Sequence, residues 1–190
     1  VPPEPTPTAY HKILVHTSKL IEQFPPDLVI HMGLDVGSGP GVFKLERSAP
    51  KEGYHDIPDI DRKVFTRAEN KKMFAKAPAS LITTLDVESA AEIWKAACSS
   101  LYFPSAMAPS KEKGAIVFRN KQVADARLSD DVGTYVCGFQ YYTSMLEAGK
   151  RTGKRDVVFL HMPKLETKEE VRLGIRVVTE LIKALVAVQT

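Results

Sequence analysis

Apolar positions fall into three patterns along this chain. Residues 28–34 (Leu-Val-Ile-His-Met-Gly-Leu) form a short continuous apolar run that ends at Gly33, and residues 156–161 form a second with His161 at its end. Such runs, bounded by turn residues, read as buried strands of a mostly parallel sheet. Residues 42–47 alternate instead, with Phe43 and Leu45 on one face and Lys44 and Glu46 on the other; this is a strand, and Glu46 lies near its end. Residues 123–129 read as a further strand and residues 115–118 as a short one. Helical spacing marks residues 8–24 through Ile13, Leu14, Leu20, Ile21 and Phe24, until Pro25 and Pro26 stop it. A second helix opens at Thr84-Leu85-Asp86 and carries Ala90, Ile93, Trp94, Ala97, Cys98 and Leu101 on one face. A third begins near Cys137, buries Phe139, Tyr142, Thr143 and Leu146, and ends at Gly149. The last starts with the capping box Thr167–Glu170 and has the apolar stripe Val171, Ile175, Val178, Leu181, Ile182, Leu185. Helices alternating with buried strands are the signature of an α/β fold.

The stretches between are less regular. Residues 48–80 show little periodicity, and so long a section in a compact domain is usually functional or poorly ordered. Residues 104–113 form a polar connector, and residues 150–155 an exposed basic turn. Val36-Gly37-Ser38-Gly39-Pro40-Gly41 could suggest a phosphate-binding loop. Pro40, the missing Gly-Lys-Ser/Thr ending and the lack of a following helix favour a plain turn.

With 190 residues the chain suits a single domain spanning residues 1–190. The formal charge of +3 is small and its basic residues are scattered, so nucleic acid is not an expected partner; the lysines between 71 and 76 read as a solvated face. No apolar run approaches a membrane span. Val1–Pro7 resembles neither a signal nor a transit peptide and is expected to be a loop or linker in a chain cut short at its start. Cys98 and Cys137 make no disulfide framework and have no metal-ligand spacing, so a reducing, cytoplasmic setting is the expectation. Cys98 falls on the apolar side of its helix and reads as inert core.

Ser129-Asp130-Asp131-Val132-Gly133-Thr134-Tyr135-Val136-Cys137 reads as strand end, tight turn at Gly133 and helix start. A thiol at a helix N-terminus sits where backbone N–H groups and the macrodipole favour the thiolate. On this stretch alone, nucleophile and buried core thiol are equally good readings. Glu46 and His161 also stand at strand ends, where sites in open α/β sheets gather. Cys137 as nucleophile, His161 as base and Glu46 as the carboxylate that orients it would satisfy what thiol catalysis needs; three unrelated residues is the competing reading. His31 reads as a hydrogen-bonded core histidine and His11 and His16 as solvated or capping groups. His55 beside Asp56, Asp59 and Asp61 is weak evidence for a metal.

The residues resemble those of the pyroglutamyl peptidase I (pyrrolidone-carboxylate peptidase) family. The likeness runs in order through Pro26-Asp27-Leu28-Val29-Ile30-His31-Met32-Gly33, Leu45-Glu46-Arg47-Ser48-Ala49, Ile57-Pro58-Asp59, and Ala77-Pro78-Ala79-Ser80 with Thr84-Leu85. It continues through Asp131-Val132-Gly133-Thr134-Tyr135-Val136-Cys137 with Tyr141-Tyr142-Thr143-Ser144, and Phe159-Leu160-His161-Met162-Pro163. The resemblance implies a three-layer α/β/α sandwich around a twisted mixed, mostly parallel sheet. It implies a cysteine exopeptidase that removes N-terminal pyroglutamate from peptides, using no metal or other cofactor, with Cys137, His161 and Glu46 as the triad. Tyr135, Val136 and Ile57 match positions that line the family's lactam pocket. Three departures stand out. The family's opening strand and its Thr-Gly-Phe-Gly-Pro-Phe-type aromatic loop have no counterpart here, Asp56 replaces an Arg, and Gly138 replaces an Asn or Asp. They motivate an alternative reading, a non-catalytic peptide-binding or structural protein on the same fold; a different thiol hydrolase is a third.

Overall fold

Pro25 and Pro26 separate helix α1 (Tyr10–Gln23) from strand β1 (Val29–Leu34), as proline stops require. The computed structural model describes residues 5–23, 25–103 and 122–189. After β1 come β2 (Val42–Glu46), β3 (Ser48–Pro50), α2 (Arg67–Met73), β4 (Ser80–Ile82), α3 (Val87–Cys98) and β5 (Tyr102–Phe103). The chain continues with β6 (Gln122–Val123), β7 (Asp125–Ser129), α4 (Val136–Thr152), β8 (Val157–Met162) and α5 (Lys168–Ala187). The main sheet has the order β1-β8-β2-β7. Val29 N–H donates to Asp156 O at 3.0 Å and Asp35 N–H to Met162 O at 2.9 Å. Both strands advance six residues between these bonds, so β1 and β8 run parallel. Two antiparallel ribbons accompany the sheet, β3 with β4 and β5 with β6. The result is a mixed, mostly parallel sheet flanked by helices, the expected α/β class.

By contacts the chain divides into two units, one of Val1–Gly33, Leu45–Leu85 and Ser129–Leu160, the other of Leu34–Lys44, Asp86–Leu128 and His161–Thr190. The first has an aromatic core. Phe139 of α4 stands at its centre, with ring centroids 4.7 Å from Phe65, 5.1 Å from Tyr10 and 5.1 Å from Tyr54. Each buried phenol reaches a carbonyl, as burial of a polar atom demands. Tyr141 donates to Glu46 O at 3.0 Å, Tyr142 to Pro78 O at 2.7 Å, and Tyr54 to Pro50 O. In the second unit α3 packs on α5, and the fully buried Trp94 donates from Nε1 to Val177 O at 2.9 Å. Asp86 caps α3 by accepting from Ser89 N–H, and the Thr167–Glu170 capping box opens α5.

Several elements differ from the sequence expectation. β1 is a strand but not a buried one: Met32 is 58% and Leu34 53% exposed. It is the terminal strand of the described sheet, with a neighbour on one side only. On α5, Leu181 and Leu185 are buried as expected, yet Val171, Ile175 and Ile182 face solvent; the burying stripe runs instead through Leu173, Val177, Leu181 and Ala184. Ile93 and Ala97 of α3 are likewise exposed. α4 passes through Gly149 and stops three residues later than expected, where Gly153 takes the left-handed conformation (φ 75°) and donates to Gly149 O. The irregular section contains α2, opened by a Thr66–Glu69 capping box. The strand expected over residues 123–129 is interrupted at Ala124, whose N–H turns aside to Leu101 O at 2.7 Å. Phe24, the polar connector and the short strand expected at 115–118 lie outside the described residues.

Candidate active site

Cys137 is the second residue of α4, as its sequence context suggested. Two glycines shape the approach to it. Gly133 adopts φ 76°, a conformation that costs other residues energy, and its N–H donates to Asp131 Oδ1 at 3.1 Å. Gly138 lies so close to this turn that a Cβ there would sit 2.1 Å from Gly133 O. The residue that replaces the family's Asn or Asp is therefore one the local backbone requires. Tyr135, the N-cap, is extended (φ −111°, ψ −164°) and makes no side-chain capping bond, so nothing from the cap covers the first N–H groups of α4. A third glycine comes from β1. A Cβ on Gly33 would lie 3.1 Å from Cys137 Sγ and 2.8 Å from Phe159 Cζ, so the bare backbone here lets the thiol seat against the strand.

Glu46 is the last residue of β2 and fully buried. Its carbonyl accepts from Tyr141, whose phenol is pushed up by burial first and by the nearby Glu46 charge second. His161 is the fifth residue of β8, also buried. Alternation along the strand puts it on the same face of β8 as Val157 and Phe159. β8 and β2 are neighbours in the sheet order.

Among the three pocket candidates, Val136 is buried in the aromatic core, Tyr135 is part-buried and Ile57 is 48% exposed. Tyr135 and Ile57 are brought together by a residue that sequence reasoning did not single out. Tyr10, fully buried at the start of α1, donates its hydroxyl to Ile57 O at 3.0 Å and sets its ring edge-on to Tyr135 (centroids 6.2 Å apart, planes at 88°). Asp59 completes the Ile57-Pro58-Asp59 motif as a buried acceptor. Burial pushes its carboxyl up, but N–H bonds from Lys63, Tyr10 and Asp61 outweigh that and hold it below the usual range.

The other candidates have structural explanations. Asp35 fills the glycine-rich turn with its own carboxylate, accepting from Gly37 N–H, Ser38 Oγ and Lys44 Nζ at 2.6–2.9 Å, which confirms a plain turn rather than a phosphate cradle. His31 is not hydrogen-bonded as expected: the residue is part-buried, but its Nε2 is enclosed without a partner, and burial lowers its pKa to about 4. His11 pairs with Glu69 at 2.8 Å, and His55 accepts from Arg67 Nε at 2.8 Å. Burial, then the charge of Glu180, pushes Cys98 up to about 11, in keeping with an inert thiol. Among the described residues no group of three or more His, Cys, Asp or Glu could hold a metal ion, and no helix is long and apolar enough to cross a membrane. A groove of about 260 Å³ lies along Glu88, Ala91, Glu92, Lys95, Ala126, Arg127 and Leu128, and none of these belongs to the candidate set.

No family model matches the sequence, and no curated protein sequence matches it. Solved structures do match. A mutant pyrrolidone carboxyl peptidase from the hyperthermophile Pyrococcus furiosus superimposes with a TM-score of 0.66 at 16% identity, covering 95% of this chain and 79% of that one. Pyroglutamyl peptidase I from Bacillus amyloliquefaciens gives 0.62 at 20% identity, covering 96% and 75%. The pyrrolidone carboxyl peptidase from Thermococcus litoralis gives 0.64 at 17%, covering 95% and 75%. The chain thus has the pyroglutamyl peptidase I fold.

Proposed function

We propose that this chain is a cysteine exopeptidase that hydrolyses the bond after an N-terminal pyroglutamyl residue of a peptide. Cys137 is the nucleophile, His161 the general base and then acid, and Glu46 the carboxylate that orients the imidazole. The observation that carries the reading is the seat of Cys137: second in an uncapped helix, against the bare backbone of Gly33, on the fold of known pyroglutamyl peptidases.

His161 takes the thiol proton and the thiolate attacks the pyroglutamyl carbonyl carbon. The resulting oxyanion is met by N–H groups of the first turn of α4, which have no partner within the helix. Collapse breaks the C–N bond, and the imidazolium returns its proton to the leaving amine. Water, deprotonated by His161, then attacks the thioester, releasing pyroglutamate and restoring the thiol. No metal or cofactor enters this sequence. Tyr135, Val136 and Ile57 supply an apolar slot suited to an uncharged lactam ring, and hydrogen bonds to its N–H and C=O supply the discrimination. Free thiols at Cys98 and Cys137 suit a reducing, cytoplasmic setting.

The test is release of a fluorophore from a pyroglutamyl amide by the purified protein. Turnover that Cys137→Ser abolishes supports the reading, as does faster iodoacetamide alkylation of Cys137 than of a free cysteine. A folded protein that binds pyroglutamyl peptides without cleaving them would favour the non-catalytic alternative.

A further inference from the structure

Tyr10 makes contacts that converge on one short segment and on the start of α4. Its backbone N–H donates to Asp59 Oδ2 at 2.9 Å, and its hydroxyl donates to Ile57 O at 3.0 Å, so one residue grips both ends of Ile57-Pro58-Asp59. Its ring meets Tyr135 edge-on, two residues before Cys137, and meets Phe139 edge-on at 5.1 Å, two residues after it. The same helix end adds Thr8 O, which accepts from Ile60 N–H at 3.3 Å, and Lys12 Nζ, which pairs with Asp61 at 2.8 Å. The gripped segment leads directly into a turn with Arg62 at φ 57°, a conformation that persists only where surroundings hold it.

We propose that Tyr10 is a positioning residue for the lactam slot, fixing the Ile57 wall relative to the Tyr135 wall. The inference rests on the peptidase reading and adds to it a determinant on α1 that touches neither the thiol nor the substrate. Asp59 anchors the backbone of α1, and the hydroxyl of Tyr10 reaches the carbonyl of Ile57 itself. Without it, the half-exposed Ile57 side chain keeps its chemistry but loses its fixed distance from the Tyr135 ring. Substrate binding would suffer, while the thiol, held by α4 and Gly33, would not.

Tyr10→Phe keeps the ring and its packing and removes only the hydroxyl. Loss of one neutral hydrogen bond to a wall predicts a KM for a pyroglutamyl amide raised about fivefold, with kcat within about twofold. Iodoacetamide alkylation of Cys137 is expected to be unchanged. Amide hydrogen exchange at Asp59 and Ile60 is expected to speed up by a similar factor while that of α4 stays put. A merely structural role would lower the melting temperature without dividing KM from kcat. Unchanged exchange at Asp59 and Ile60 would overturn the inference whatever the activity, and so would a loss confined to kcat and alkylation. Absence of turnover in the wild-type protein would instead refute the peptidase reading, and the exchange measurement would still decide whether Tyr10 holds the 57–59 segment.

Discussion

Substituting Gly138 by alanine sets two well-known effects against each other. Within a helix, Ala is favoured over Gly by about 1 kcal/mol, part of it through a less flexible unfolded chain. Against that, the new Cβ would lie 2.1 Å from Gly133 O. Ordinary C···O contact begins near ~3.3 Å, so roughly 1.2 Å of overlap must be relieved. The obstacle is backbone, in a turn whose φ of 76° leaves it little freedom to yield. Overpacking of this kind costs about 1–3 kcal/mol, and a rigid carbonyl belongs at the upper end. The clash wins, for a net loss of about 1–2 kcal/mol, or roughly 2–8 °C in melting temperature for a chain of this size. Gly149→Ala in the same helix is the control, because its Cβ would meet only the flexible Arg155 side chain at 3.3 Å. That variant should gain about 0.5–1 kcal/mol. Urea denaturation of both, monitored by circular dichroism, gives the comparison. Should Gly138→Ala prove as stable as Gly149→Ala, the described packing of the Gly133 turn on α4 is wrong.

The remaining predictions concern the thiol seat and the titrating groups. Gly33→Ala places a methyl 3.1 Å from Cys137 Sγ and 2.8 Å from the Phe159 ring; Cys137 should alkylate several-fold more slowly and stability should fall by about 1–3 kcal/mol, whereas wild-type alkylation would argue against the contact. His31 is held neutral by burial, with a pKa near 4 against 6.5 unfolded. Between those values the unfolded chain binds more protons, so this contribution is complete above about pH 6.5 and is lost as pH falls toward 4, by at most ~3 kcal/mol. The wild type should therefore lose more stability than His31→Leu between pH 7 and 5, and equal losses would contradict the enclosure of Nε2. Glu69 is lowered to about 2, first by the Thr66 hydroxyl and next by His11. Its stabilisation is present above about pH 4.5 and disappears as pH falls toward 2. Glu69→Ala should cost about 1 kcal/mol at pH 7 through the lost capping box, and a neutral result in thermal melts would count against it.

Much of the fold was legible because its signals are local. Continuous apolar runs marked β1 and β8, Asp86 and Thr167–Glu170 marked helix starts, and Pro25-Pro26 marked a stop. The Thr66–Glu69 box that opens α2 was present in the same form, but seven helical residues give too little periodicity to draw notice. Gly149 and Gly153 are chemically alike, and only tertiary packing decides which one takes the left-handed cap. Burial of β1 and α5 could not be read for a related reason. Met32 is as apolar as the part-buried Ile30 and Ile175 as the buried Val177, and their exposure depends on what lies beside the strand or helix, which a residue pattern does not encode. Cys137, Glu46 and His161 stand out in the sequence through their expected places at element ends, and the structure places them in α4, β2 and β8. The Tyr10–Ile57–Tyr135 arrangement does not stand out, because Tyr10 reads as an ordinary apolar position and its partners lie far along the chain.

The most direct measurement of the central claim is mass spectrometry of the protein quenched during turnover of a pyroglutamyl ester or amide. The account predicts one pyroglutamyl acyl group on the peptide that contains Cys137, absent in Cys137→Ala and formed far more slowly in His161→Gln, because the same imidazole serves acylation and deacylation. Turnover with no adduct at Cys137, or an adduct that survives in Cys137→Ala, would contradict it.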